Sequence, residues 1–205
     1  IKKLRKTLRS VRGLHYIGGT KEETHNNFWK QFPKINAAVD SIANAYHINV
    51  GTLKNRLENE GFVDSVIKDN NQAYFYPENF DKYPEDSILN SKRYVYDGFQ
   101  KFGLDYTHGL IEQGKVKPIN ERYRTGIDYN EAGVRVPAAH GLINLDNIGL
   151  TAATLKYTRA LAKQNHPNFT GKHLDEASVI YYNLSPAGAK KFINNKQTKS
   201  SYKIK

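Results

Sequence analysis

The chain has no cysteine, no methionine and a single tryptophan. Without cysteine there is no disulfide, no thiolate nucleophile and no cysteine-based zinc or iron–sulfur centre. That absence does not identify a compartment. Long apolar runs are missing as well. None approaches a membrane span, and no charged n-region followed by an apolar h-region and a small-residue cleavage site marks a signal peptide. The histidines His15, His25, His47, His108, His140, His166 and His173 are scattered without the paired spacing of metal ligands, so neither metal nor cofactor is expected. Acids are in short supply. Against 31 Lys and Arg there are 20 Asp and Glu, giving a net charge of +11 and a pI of about 9.6. Such a surplus points to an anionic partner, either nucleic acid or an anionic wall or membrane surface, and charge alone does not separate them. The chain begins at Ile1 and holds no Met, which leads one to expect a processed product or part of a longer chain.

At 205 residues one well-filled core with extensions is expected. Residues 1–13, IKKLRKTLRSVRG, read as a basic tail or linker, with a short basic amphipathic helix as the alternative. Ile35, Val39, Ile42 and Tyr46 share one face of a helix, and a turn at 47–50 leads into a second. From Ala73 to Pro84 the chain is aromatic and punctuated by Pro and Asn, which predicts loops or short strands. Helices are expected over 92–102 and 106–117, with Pro118 breaking the latter, and a turn-rich excursion or small hairpin over 123–137. A long helix capped by Asp146 or Asn147 follows, then a buried one at 175–184. The tail from Lys196 is expected to fray.

The most informative stretch is Asn49 to Asp64, NVGTLKNRLENEGFVD. Val50, Leu53 and Leu57 recur at helical spacing and define an apolar stripe. At 100° per residue Glu60 lies within roughly 60° of the stripe's centre, whereas Glu58 falls about 105° away. Gly61 can end the helix and leave Glu60 at the lip of a cleft. A half-buried carboxyl there holds its proton near neutral pH and can deliver it to a leaving oxygen, the role of the general acid in glycosidic-bond cleavage. The plainer alternative is a helix-end Glu, solvated or paired with Lys54 or Arg56. A rival reading takes residues 35–60 as a helix-turn-helix that binds nucleic acid, on the segment SIANAYHINVGTLKNRLENEG. Glu58 and Glu60 on its second helix would oppose phosphates.

Three segments, in order, resemble lytic transglycosylases and goose-type lysozymes. GTLKNRLENEGFVD resembles the helix that ends in the catalytic glutamate and places Glu60 there. NLDNIGLTAATLKYTRAL is similar to the helix before the Ala-Tyr-Asn-Ala-Gly-Pro-Gly segment. SVIYYNLSPAGAKK is similar to that segment, with Tyr182 and Asn183 on its Tyr-Asn pair. For the Gly-Leu-Met-Gln motif there are two candidates, Phe102 to Asp105 and His140 to Asn144, and Gly103-Leu104 leaves better room for the following loop. Gly61 stands where the family has Ser or Thr.

The resemblance implies a mainly α, lysozyme-like α+β fold, a helical bundle around a glycan cleft with a small irregular or β-containing lobe. It covers about 35–192 with an enlarged middle and leaves 1–30 unexplained, so the expected division is a basic extension at 1–30, a catalytic domain at 31–195 enlarged at about 70–137, and a basic tail at 196–205. The implied activity is cleavage of the β-1,4 bond between N-acetylmuramic acid and N-acetylglucosamine. Glu60 would be the acid and base. Asp105 would be a second acid, with Asp128 and Glu131 behind it. Gly103, Leu104, Tyr182, Asn183, Tyr74 and Tyr76 would bind the glycan strand. The partners would be peptidoglycan and the anionic bacterial wall, reached by a phage virion or by lysis. A catalytically inactive wall-binding or virion structural protein is the further alternative.

Overall fold

The computed structural model describes residues 20–67, 85–90, 110, 113–115, 127–129, 135–137 and 144–204. Thr20 opens α1 (Lys21–Gln31) with a reciprocal cap. Its hydroxyl accepts from the Glu23 amide at 3.2 Å, and the Glu23 carboxylate accepts from the Thr20 amide at 2.8 Å. Pro33 starts α2 (Pro33–Tyr46) in the first turn, where a missing N–H costs nothing. His47, left-handed at φ 55°, ends it, and Asn49 caps α3 (Val50–Asn59) by accepting from the Thr52 amide at 3.1 Å. The hairpin read from 35–60 is therefore present. Glu60 closes α3, Gly61 takes a φ of +83°, and helix resumes at 62–67.

Then come the short α4 (Glu85–Asn90), and β1 (Ile127–Tyr129) paired antiparallel with β2 (Arg135–Pro137), Asp128 opposite Val136. This pairing lies in the turn-rich stretch 123–137. Three helices follow, α5 (Asn144–Asn165), α6 (Gly171–Asn183) and α7 (Pro186–Asn194), and a 3-10 turn at Ser200–Tyr202. The fold is mainly helical. Among the described residues no helix is long and apolar enough to cross a membrane.

α5 is the central element, packed on α6, α2, α3 and α4. Ile35, Val39, Leu53, Leu57, Phe62, Ile148, Leu155 and Val179 fill the main core. A smaller cluster of Ala162, Leu174, Ala177, Tyr181 and Ala189 joins α5, α6 and α7. Burial nearly all round over residues 144–155 explains why α5 lacks a clean amphipathic stripe. It also starts earlier than read from the sequence. Asn144 donates from its side chain to the Ile88 carbonyl at 2.8 Å, docking the helix start on α4, so Asp146 and Asn147 sit buried inside the first turn instead of capping it.

Other expectations shift for equally local reasons. The helix expected to reach Lys117 stops before it. Residues 113–115 form a turn, with Gly114 at φ +68° and the Lys115 amide donating to the Leu110 carbonyl. The helix expected over 92–102 lies outside the described residues. The packed body also begins before residue 31, because Phe28 on α1 is buried against Trp29, Phe32 and Phe62.

The C-terminal segment does not fray. Tyr202 and Ile204 are buried, the Tyr202 ring meeting Phe192 at 5.5 Å. The Asn55 side chain donates to the Lys203 carbonyl at 2.9 Å, Asn59 donates to the Ser201 carbonyl at 3.3 Å, and Lys203 Nζ stands 3.2 Å from Glu176. Apolar residues set between the lysines pay for the ordering of this strap across α3 and α6. Tyr202→Ala is expected to lower the unfolding free energy by about 2 kcal/mol, read from urea midpoints. An unchanged midpoint would mean that the strap does not form in solution.

Candidate functional site

α3 contributes two charged residues to one side of the bundle. Arg56, one turn before Glu60, is buried with its side chain 3% exposed, and its Nη2 stands 3.4 Å from Glu60 Oε1. Glu60 is 17% exposed at the end of the helix. Burial pushes its carboxyl above the ordinary carboxylate value, and the Arg56 charge offsets part of that. From α6, Tyr182 lays its ring over the Arg56 guanidinium, 5.4 Å from Cζ to the ring centre. Burial, and then the Glu60 charge, push the phenol well above its usual value, so Tyr182 stays a neutral donor. The pairing of Glu60 with Arg56 that the plainer reading allowed is present, but it is covered by protein and is no surface ion pair.

α5 supplies the third wall. Thr151 stands beside the Tyr182 hydroxyl and donates to the Asn147 carbonyl at 2.9 Å. Asn147 is completely buried, yet among the described residues neither atom of its side-chain amide has a hydrogen-bond partner. The same holds for Arg56 Nε and Nη1. Native interiors rarely leave such groups unsatisfied.

The opposite side of α3 carries a second polar network. His25 Nε2 is 2.6 Å from Asp64 Oδ1, its Nδ1 is 3.6 Å from Glu58 Oε2, and Trp29 Nε1 donates to Glu58 Oε1 at 3.0 Å. Burial disfavours the imidazolium, but the hydrogen bonds and charges of Asp64 and Glu58 outweigh it and hold His25 above its usual value. The ring separates the two carboxylates, one on each nitrogen. Among the described residues no group of three potential ligands is arranged to hold a metal ion.

Glu58, about 105° from the apolar stripe of its own helix, is nevertheless buried, 9% exposed, because α1 covers that side of α3 with Trp29 and His25. His25, Asp64, Arg56 and Asn147 were not read as site residues. The available signal for His25 was its spacing with Phe28 and Phe32 on one helical face.

Of the residues read as functional, the structure brings Glu60 and Tyr182 together. Asn183 is exposed at the end of α6, and its side chain donates to the Val179 carbonyl at 2.7 Å. Asp128 lies on β1. Tyr74, Tyr76, Gly103, Leu104, Asp105 and Glu131 lie outside the described residues. No family model matches the chain, and no curated protein or solved structure matches it.

Two outcomes follow from these networks. The folded value of His25 lies above its ordinary 6.5, so its stabilisation is fully present below that value and is lost as the pH rises through the raised one. Urea midpoints of the wild type should fall across that window, with a shallower fall for His25→Gln. Parallel curves would remove His25 as the source. Replacing the unsatisfied Asn147 by Leu should raise stability by about 1 kcal/mol, and a lower thermal midpoint would show that the amide is satisfied after all.

Proposed function

We propose that the chain cleaves the glycan strands of peptidoglycan, with Glu60 as the general acid and base. The observation that carries this is the half-buried Glu60 carboxyl, raised by burial and set against a buried cation and a neutral phenol from another helix. The resemblance of α3, α5 and α6 to three segments of lytic transglycosylases supports the same residue. Glu60 protonates the glycosidic oxygen while the C1–O bond breaks and its electron pair leaves with that oxygen. An oxocarbenium-like centre develops at C1 of muramic acid. The carboxylate left behind then takes the proton from the attacking hydroxyl as the new C1–O bond forms. If the attacker is the sugar's own C6 hydroxyl, the product is a 1,6-anhydro sugar, and if it is water, a reducing end. Tyr182 would hydrogen-bond near Glu60 or the sugar, and its buried hydroxyl has no partner among the described residues. Intramolecular attack needs only one acid and base, which suits a site whose described groups acting on Glu60 are Arg56 and Tyr182.

The positive net charge fits an anionic wall polymer, with delivery by a phage particle or by lysis. The DNA-reading alternative needs a free face on α3. Within that helix only Asn59 is exposed, with Val50, Gly51 and Lys54 half-buried, so the wall reading is favoured. The test is digestion of purified peptidoglycan by the wild type and by Glu60→Gln, with released muropeptides analysed by mass. Anhydro-muropeptides from the wild type, reduced at least a hundredfold by the substitution (roughly the scale of one acid–base group), are the expected result. Reducing-end products would make it a hydrolase. No release from the wild type would overturn the reading and leave an inactive wall-binding protein, or a DNA-binding protein if a salt-dependent shift of DNA is seen.

A further inference from the structure

Arg56 is a buried charge with little to balance it. An arginine keeps its proton at any physiological pH, and this one is 3% exposed, with Nε and Nη1 unsatisfied. Among the described residues its compensation consists of one carboxylate oxygen at 3.4 Å and the face of the Tyr182 ring. A buried cation so placed is costly, and the cost is relieved most when Glu60 is ionised. The desolvation of Glu60 pulls the other way, toward the neutral acid. Neither protonation state therefore satisfies both residues. The backbone holds them in register, since the Glu60 amide donates to the Arg56 carbonyl at 2.8 Å. Among the described residues the charged and titratable groups at Glu60 are Arg56 from its own helix and Tyr182 from α6, and α5 contributes the uncharged Thr151 beside Tyr182.

We propose that Arg56 is the positioning residue of this site. It orients the Glu60 carboxyl at the end of α3 and stabilises the carboxylate that remains once the proton has been given away. This rests on the reading of Glu60 as the acid, and it adds a separable claim, that the Arg56 charge beside the carboxyl holds its proton affinity below what burial alone would give. A fixed charge aimed at the group that becomes anionic during the reaction needs no reorganisation when the proton moves. In this chain it also takes the orienting place of the hydroxyl that Gly61 lacks.

The experiment compares Arg56→Met and Arg56→Gln, which remove the charge, with Arg56→Lys, which keeps it. The Glu60 carboxyl is titrated by carbon-13 NMR, assigned through Glu60→Gln, and muropeptide release is followed against pH. In the charge-removing variants the Glu60 midpoint and the alkaline limb of the rate profile should both move up by about one pH unit, with a roughly tenfold lower maximal rate. Arg56→Lys should leave the limb close to wild type. A Glu60 midpoint unmoved in a folded charge-removing variant would overturn the proposal. So would failure of both such variants to fold while Arg56→Lys folds, since that assigns Arg56 a structural role. If the wild type releases no muropeptide, the glycan-cleaving reading fails by itself, and the NMR titration still decides the coupling of Arg56 to Glu60.

Discussion

The constraint on which the structure depends is that α3 is enclosed on nearly all sides while carrying polar residues on most of them. Thr52, Asn55, Arg56 and Glu58 are all buried with Leu53 and Leu57. A helix in that position is stable only if its neighbours satisfy its polar groups. They do so unevenly. On the α1 side Glu58 receives Trp29, and His25 joins it to Asp64 at short distances. On the α5 and α6 side Arg56 has unsatisfied nitrogens, and Asn147 is buried without partners. Two polar networks border one helix, and in one of them the buried side chains are hydrogen-bonded to one another. The other is where a bound group would gain most, which supports the proposed placing of the site there.

The remaining elements hold that arrangement in place. α5 brings Thr151 beside Tyr182 of α6, and the C-terminal strap ties Asn55 of α3 to Lys203 and Asn59 to Ser201. Asn59 adjoins Glu60, so the strap fixes the end of the helix that presents the carboxyl. Gly61, at φ +83°, lets the chain turn immediately behind it.

Much of this was legible because it is local. Leu53 and Leu57 at helical spacing, Asn49 before them and Gly61 after them define α3 within a residue of its observed ends. Ile35, Val39 and Tyr46 do the same for α2, and the long helix and the one bearing Tyr182 were readable from their apolar spacing. What was not legible depends on neighbours. A helical wheel measures angle within one helix. It cannot register that α1 crosses the far side of α3 and buries Glu58, nor that α4 receives Asn144 and moves the start of α5 forward. The lysines of the C-terminal segment obscured Tyr202 and Ile204, whose docking place is made by residues far away in the chain. The site was legible in the same proportion. Glu60 stood out through its own helix and Tyr182 through the resemblance, whereas Arg56 entered only as a possible ion-pair partner of Glu60.

The Tyr-Asn pair carries one last step. If Tyr182 and Asn183 acted together, both would face the carboxyl. Tyr182 turns toward Arg56 and Glu60, while Asn183 spends its amide on Val179 within its own helix. Consecutive helical residues point about 100° apart, so one helix end cannot aim both at the same spot. Under the proposed reading, the orienting work that a pair would share would fall on Tyr182 with Arg56. Because Arg56 lies one turn before Glu60, the geometry of that carboxyl is set largely within one helical turn. It depends on α6 for the ring that covers the guanidinium.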